Sequence, residues 1–181
     1  MVRKHRRVKS GIVNRRKVIS NTKKFQTVPF FGFVIGSMIL GSTGSLVTMP
    51  AIPTWYANLI KPSFNPPNWV FGPVWTLLFI LMGIASYLVW KSGTGKPGVN
   101  RALLAYGLQF ALNILWSSAF FGVRSPGLGL FTIIILWIAI AVTIIRFWRV
   151  NHLAGLLLAP YIAWVSFASI LNTSIYLLNR V

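Results

Sequence analysis

The sequence predicts an all-α integral membrane protein, a bundle of five transmembrane helices with a Trp/Pro-rich lid loop between helices 1 and 2. Three observations predict this fold: an apolar composition, five long apolar stretches and a one-sided distribution of charge. Hydrophobic residues make up 55% of the 181 residues, and charged residues make up only 10%. Soluble domains carry about 25% charged residues, so this composition indicates a protein that lies in lipid.

Each of the five apolar stretches is long enough to cross about 30 Å of hydrocarbon as a helix. No Lys or Arg lies near the centre of any stretch. Backbone groups in lipid must be hydrogen-bonded within their own segment, so helices are expected. The short connections after the first loop predict that successive helices are antiparallel neighbours. The stretches are residues 27–49, 70–90, 102–121, 127–147 and 153–178.

The cations lie mainly on one side of the predicted bundle. Ten of the 18 Lys and Arg residues precede residue 25. The side of the bundle that holds the N-terminus has fifteen of the 18, and the opposite side has three. The positive-inside rule then places the N-terminus on the cytosolic side. We expect a multi-pass protein of the mitochondrial outer membrane or another organelle membrane in a eukaryote, or of the cell envelope in a prokaryote.

The basic residues also divide the chain into two units. Residues 1–26 are predicted to be a disordered tail, and residues 27–181 to be the five-helix domain. The tail is interpreted as a juxtamembrane segment on anionic lipid, or as a targeting segment. Nucleic-acid binding is not favoured, because no RNA- or DNA-binding module follows the tail.

The missing residue types exclude several kinds of chemistry. The chain has no Asp, no Glu and no Cys, and its two histidines are His5 and His152. Carboxylate acid/base pairs, Ser-His-Asp triads and thiolate sites are therefore excluded. Two separate histidines are too few to form a metal site, and proton-coupled pumping lacks an intramembrane acid or histidine. We expect no catalytic residue, no metal and no cofactor, and binding through aromatic, amide, hydroxyl and cationic groups.

The first loop and the start of the second helix, residues 55–75, combine prolines with aromatic rings. Prolines fix the backbone φ angle, so a structured cover over one end of the bundle is favoured. The alternative is an interfacial aromatic belt at the depth of the lipid headgroups. The candidate lid residues are Trp55, Lys61, Pro62, Phe64, Pro67 and Trp69.

Three predicted helices each place aromatic or amide side chains on one face at helical spacing. Amides in mid-membrane are costly unless they are paired, so Gln109 and Asn113 should face inward. For Gln109 a role in holding helices together is favoured, and for Asn113 contact with a ligand is favoured. The faces are Trp75, Phe79 and Met82 on the second helix, Gln109, Asn113, Trp116 and Phe120 on the third, and Trp164, Ala168 and Leu171 on the fifth.

Four sequence blocks, in this order, resemble the TspO/translocator family, whose members are also called tryptophan-rich sensory proteins or peripheral-type benzodiazepine receptors. The blocks are WYxxLxKPxFxPPxWxFGPVW at 55–75, MGxASYLVWK at 82–91, ALNxxWSxxFFG at 111–122 and APYxAWVSFAxxLN at 159–172. The resemblance covers residues 27–179 and leaves only the basic tail outside it.

The resemblance implies a membrane receptor or translocator that binds porphyrins, and also sterols or other planar apolar ligands, for sensing, sequestration or transport. Porphyrin or haem would be a ligand rather than a cofactor. The size of Ala168 would matter, because a larger side chain would enter the cavity. Carried over position by position, the implied ligand-binding residues are Tyr56, Pro66, Trp75, Phe79, Asn113, Trp116, Ser117, Trp164, Phe167, Ala168 and Leu171.

Two departures from the family pattern bear on sterols and on self-association. Thr173 stands where the family's cholesterol-recognition segment commonly has an aromatic residue, which weakens the case for sterol binding. Leu104 and Leu108 stand where some relatives have a dimerising GxxxG, so a homodimer would need another face. Gly32 and Gly36 on the first helix offer one.

Two rival functions are left open. The first is light-dependent porphyrin degradation assisted by Trp75 and Trp164, which the resemblance also implies. The second is a membrane scaffold that acts through the basic tail.

Overall fold

The computed structural model describes residues 26–180, which contain seven α-helices and no β-strand. The predicted tail lies almost wholly outside the described residues, so its division from the helical domain stays a prediction. The helices are α1 (Thr27–Ser42), α2 (Ser45–Ala51), α3 (Phe71–Lys91), α4 (Val99–Ser117), α5 (Pro126–Val150), α6 (His152–Leu156) and α7 (Ala159–Leu178).

The predicted membrane bundle is confirmed, with one span bent. Four helical segments are long and apolar enough to cross a membrane: Asn68–Lys91, Val99–Gly122, Pro126–Val150 and His152–Leu178. The count reaches five only if α1 and α2, which meet at an angle of 40°, form one bent span. The stretch predicted as one helix over 27–49 is therefore a broken helix.

The break between α1 and α2 follows from a short run of small and hydroxyl residues, GSTGS at 41–45. Thr43 N–H donates to the Leu40 carbonyl at 3.2 Å, and Gly44 N–H donates to the Gly41 carbonyl at 3.3 Å, so the last turn of α1 is tightened. The hydroxyl of Thr43 also donates to Leu40 O at 2.6 Å. These bonds satisfy backbone groups that a break would otherwise leave unpaired in lipid.

Two close contacts join α1 to the rest of the bundle. α1 packs on α3, α4 on α5, and α5 on both α6 and α7. At Gly83 the backbones of α3 and α1 nearly touch, since a Cβ atom there would lie 2.6 Å from Val34 Cα. The hydroxyls of Ser37 and Tyr106 are 2.7 Å apart and join α1 to α4.

The end of α4 continues as a single π-helical turn, Ser118–Gly122. Phe120 in this turn is buried and stacks on Trp116, with ring centroids 6.0 Å apart. The predicted inward face of the third helix is thus extended into the turn. Single π-turns often mark functional sites, and this one borders the cavity described next.

Candidate functional site

A cavity of about 480 Å³ lies between the α1–α2 bend, the start of α3 and the end of α4. Six of the eleven predicted ligand-binding residues line this cavity: Tyr56, Trp75, Phe79, Asn113, Trp116 and Ser117. The predicted lid residue Trp69 lines it as well.

Aromatic rings form the wall on α3 and α4. Trp75 and Phe79 are one helical turn apart and stack with centroids 5.4 Å apart and planes 27° apart. Trp75 also lies 6.4 Å from Trp116 of α4, with the planes 32° apart. Trp75 thus links the other two rings, and the three form an apolar aromatic wall that a planar ligand can pack against.

The opposite wall comes from the α1–α2 bend, which the sequence reasoning did not assign to the site. Gly41, Gly44 and Ser45 line the cavity there. A signal was present, because a Gly/Ser/Thr run inside an apolar stretch indicates a turn. The other lining residues that were missed are Met38, Ser42, Thr48, Met49, Ile52, Asn68, Phe71, Gly72, Thr76 and Phe121.

The α7 residues of the predicted site lie elsewhere. Ala168 and Leu171 are buried in the core. The Trp164 ring packs on the Phe71 ring with centroids 5.8 Å apart, and the Phe167 ring packs on the Phe64 ring with centroids 6.3 Å apart. These four side chains do not line the cavity, so their contact with a ligand stays a prediction.

Tyr161, in the first turn of α7, joins that helix to the cavity wall. Its ring is buried and lies 6.2 Å from Trp75. Its hydroxyl donates to Gln109 Oε1 at 3.0 Å and accepts from Asn113 Nδ2 at 3.2 Å. Tyr161 therefore fills the space between α3, α4 and α7.

Both intramembrane amides of α4 thus join α4 to α7. Gln109 has the bridging role that the sequence favoured, although its Nε2 atom finds no partner among residues 26–180. Asn113 bridges as well, and it also borders the cavity. A third bridge runs from Trp116 Nε1 to Asn172 Oδ1 at 3.3 Å.

The first half of the loop lies against the π-turn. The rings of Trp55 and Tyr56 pack against the Phe120 ring, with centroids 5.5 and 6.2 Å from its centroid. The Lys61 ammonium donates to the carbonyls of Ala57 and Leu59 at 3.0 and 2.9 Å. Lys61 therefore holds this part of the loop together.

The second half of the loop is held by hydrogen bonds within it. The Pro62 carbonyl accepts from Asn65 N–H, and the Pro67 carbonyl accepts from Val70 N–H, each at 3.0 Å. Pro66 is half-buried, and its carbonyl accepts from Asn65 Nδ2 at 3.0 Å, but it does not line the cavity.

The loop is also tied to the far side of the bundle. Asn179, just after α7, exchanges two hydrogen bonds with the backbone of Ile60, at 3.0 and 2.8 Å. The loop therefore spans from the end of α4 to the end of α7 and covers this end of the bundle.

Tyr56 connects this loop to the cavity. Its hydroxyl donates to Asn65 Oδ1 at 2.8 Å. Burial raises the pKa of Tyr56 to about 12, so the hydroxyl remains a neutral donor at physiological pH. No other lining residue, all of them within the described part of the chain, has a titratable side chain.

The cavity opens sideways between α2 and the start of α3. Met49 on α2 is 70% exposed and Trp69 is 74% exposed, and both line the mouth. Across residues 26–180, no group of three His, Cys, Asp or Glu side chains could hold a metal ion. The arrangement is one that can hold an apolar molecule.

This fold and site define a multi-pass integral membrane protein with an aromatic cavity next to a structured loop. The sequence profile of the TspO/MBR family matches residues 33–178. The chain belongs to the TspO/MBR family, as the four sequence blocks predicted.

Individual relatives agree with this assignment. The chain is 47% identical over 142 residues to a tryptophan-rich protein TspO of Chlorobaculum tepidum, covering 78% of this chain and 90% of the relative. It is 44% identical over 146 residues to a protein of the same name from Archaeoglobus fulgidus, covering 81% and 94%. It is 40% identical over 152 residues to the translocator protein of Homo sapiens, covering 82% and 89%.

Proposed function

We propose that this protein is a membrane receptor or translocator that binds a planar apolar ligand, a porphyrin first of all, in the cavity beside the α1–α2 bend. The observation that carries the proposal is the aromatic wall of Trp75, Phe79 and Trp116 on one side of that cavity. The name translocator protein, given to the human relative, supports a role in moving or receiving a ligand.

The physical properties of the cavity support this ligand class. Its volume of about 480 Å³ lies within the range of about 300–1,000 Å³ usual for small-molecule sites. Apolar burial contributes about 25 cal/mol per Å² before the costs of binding. Stacking on the indole and phenyl rings adds a preference for flat ligands. Sterols and benzodiazepine-type ligands are further candidates for the same space.

We assign the direct contacts to the six predicted residues that line the cavity. Asn113 and Ser117 supply polar groups at its inner end, and Tyr56 supplies a hydroxyl beneath the loop. Pro66, Trp164, Phe167, Ala168 and Leu171 do not line the cavity, and a ligand would contact them only after side chains between them and the cavity moved.

A non-enzymatic role is favoured, with light-dependent porphyrin degradation as the alternative. The alternative has some support, because Trp75 would contact the ligand and lies within 6.4 Å of a second oxidisable ring, Trp116. Porphyrin loss in light but not in darkness, and absent from Trp75→Phe, would establish it. Loss at the rate of a protein-free control would exclude it.

The test of the proposal is a titration of the full chain with protoporphyrin IX in nanodiscs, kept in the dark and followed by porphyrin absorbance. Thr76→Phe places a ring in the mouth of the cavity, because Thr76 is an exposed lining residue. Leu77→Phe is the matched control on the next residue of α3, which is 56% exposed and does not line the cavity.

We expect saturable binding that Thr76→Phe weakens about tenfold or more and Leu77→Phe leaves unchanged, since filling the mouth removes contact area. Non-saturable binding, or equal affinities for the two variants, would mean that the porphyrin only partitions into the lipid. Ala168→Phe extends the test to α7, because Ala168 is buried there and does not line the cavity, so the variant weakens binding only if the ligand reaches that helix.

A further inference from the structure

Three arginine side chains converge at the end of the bundle opposite the loop. They surround a depression of about 400 Å³ between the start of α4 and the end of α5. The proposed ligand cavity is at the other end of these helices, so the two sites are distinct. The depression is lined by Pro97, Gly98, Arg101, Arg146, Arg149 and Val150.

The two helices are joined at this site by one of the arginines. Arg146 Nη1 of α5 donates to the backbone carbonyl of Arg101 at 3.1 Å. This bond brings an arginine of α5 onto the first turn of α4. The chain has no Asp or Glu, so no acidic side chain of the protein can neutralise the three guanidinium groups.

The dipole of α4 does not favour the position of Arg101. Arg101 lies in the first turn of α4, where the helix dipole is positive and a cation is repelled. Arg149, in the last turn of α5, is by contrast stabilised by the negative end of its own helix. A preference for cations at helix C-termini therefore explains the position of Arg149. It does not explain why Arg101 lines the same depression.

The start of α4 itself favours an anion. Its N-cap residue is Gly98, with φ 88°, and no side chain caps the helix. Val99 N–H donates to the Lys96 carbonyl at 3.4 Å, but the next N–H groups have no partner within the helix, and together with the dipole such groups bind phosphate and similar anions. A positive φ is readily adopted only by glycine, and the missing side chain leaves the backbone accessible.

The depth of the site points to the membrane surface. α5 has 25 residues and is about 37 Å long at 1.5 Å per residue, which exceeds the hydrocarbon thickness of about 30 Å. Its last turn therefore reaches the level of the lipid headgroups. Trp148, 47% exposed beside Arg149, is a residue type enriched at that level.

We propose that this arginine site, Arg101, Arg146 and Arg149, binds a phosphate group, the group that an anionic phospholipid headgroup and inorganic phosphate share. Guanidinium groups bind phosphate through paired, charge-assisted hydrogen bonds. The N-terminus of α4 adds backbone donors to the same anion.

The test compares two double variants of the full chain in neutral detergent, with affinities measured by titration calorimetry. R101Q/R149Q removes two charges from the site and keeps Arg146, which joins the helices. R124Q/R180Q removes two charges at the loop end and is the matched control. The probes are dioctanoyl phosphatidylglycerol and, separately, inorganic phosphate.

We expect R101Q/R149Q to weaken phosphatidylglycerol binding about 30-fold, and R124Q/R180Q to weaken it less than threefold. If inorganic phosphate binds with the same dependence on the variants, the site takes phosphate itself. If it does not bind, the site takes the lipid headgroup. Equal losses in both variants, or no loss in either, would overturn the proposal.

R149Q alone serves if the double variant does not fold, because Arg149 is exposed at the end of α5. It should weaken phosphatidylglycerol binding severalfold more than R180Q does. Equal effects of these two single substitutions would overturn the proposal as well.

Discussion

The two aromatic walls predicted for the ligand site differ in what they face. Trp75, Phe79 and Trp116 on α3 and α4 border open space, whereas Trp164 and Phe167 on α7 pack against Phe71 and Phe64. Both walls have Trp and Phe one helical turn apart, at i, i+4 on α3 and at i, i+3 on α7. The difference shows that an aromatic face on a membrane helix can line a cavity or close one, depending on the helix opposite.

The helix opposite each wall explains the difference. Opposite α3 and α4, the first span bends by 40° at its Gly/Ser/Thr run, and Gly41 lets the Phe79 ring pack closely against the bend. On the α7 side, the large ring of Tyr161 fills the gap and is held by two amides of α4. Two substitutions and a change of pH test this contrast.

The largest expected effect is that of Trp75→Ala on protoporphyrin IX binding. Loss of the stacking face should weaken binding about 20-fold or more, or ~2 kcal/mol. Trp164→Ala should change the affinity less than threefold. Dark titrations in nanodiscs measure both. An effect of Trp164→Ala as large as that of Trp75→Ala would show that the ligand lies against α7 and would end the contrast.

A smaller effect, on stability, is expected for Tyr161→Phe. Losing the hydroxyl removes one partner from each of Gln109 and Asn113, and should lower the free energy of unfolding by about 1–2 kcal/mol. Tyr106→Phe is the control, because its hydroxyl pairs with Ser37 of α1 outside this amide network. Unfolding in mixed micelles measures both, and a smaller loss for Tyr161→Phe than for Tyr106→Phe would contradict the bridging role.

The smallest expected effect is that of pH on the binding of an uncharged planar ligand. Tyr56 is the only titratable group lining the cavity among the described residues, and burial raises its pKa to about 12. An unfolded tyrosine loses its proton near pH 10. The contribution of Tyr56 to stability is therefore constant at lower pH and falls as the pH rises above about 10.

Affinity should accordingly change less than twofold between pH 5.5 and 9 in the same dark titration, made with an uncharged porphyrin ester. A sigmoidal change with a midpoint near pH 6.5 would mean that a histidine contacts the ligand.

Several elements could be predicted from residues alone, for physical reasons that act locally. Long apolar stretches must be helical in lipid, so the spans after the first loop lie close to their predicted bounds. The amides Gln109 and Asn113 had to face inward because an unpaired amide is costly in hydrocarbon. The family could be predicted because its motifs lie in four blocks at matching places along the chain.

Other features could not be predicted, because they depend on contacts between distant segments. Ile60 and Asn179 are 119 positions apart in the chain, and nothing in their local sequence indicates that they pair. The role of Gly41 and Gly44 in lining the cavity depends on where α3 and α4 lie. The convergence of Arg101 with Arg146 and Arg149 likewise requires α4 and α5 to be neighbours.

The membrane bundle, the family, the inward-facing amides and the aromatic faces could all be predicted from the residues, because hydropathy and helical periodicity act over one or two turns. The packing of the helices sets which aromatic face lines a cavity, where that cavity opens and which arginines meet. Those features depend on the space left between helices, which is set by the bend at residues 41–45, by the close approach at Gly83 and by the bulk of Tyr161.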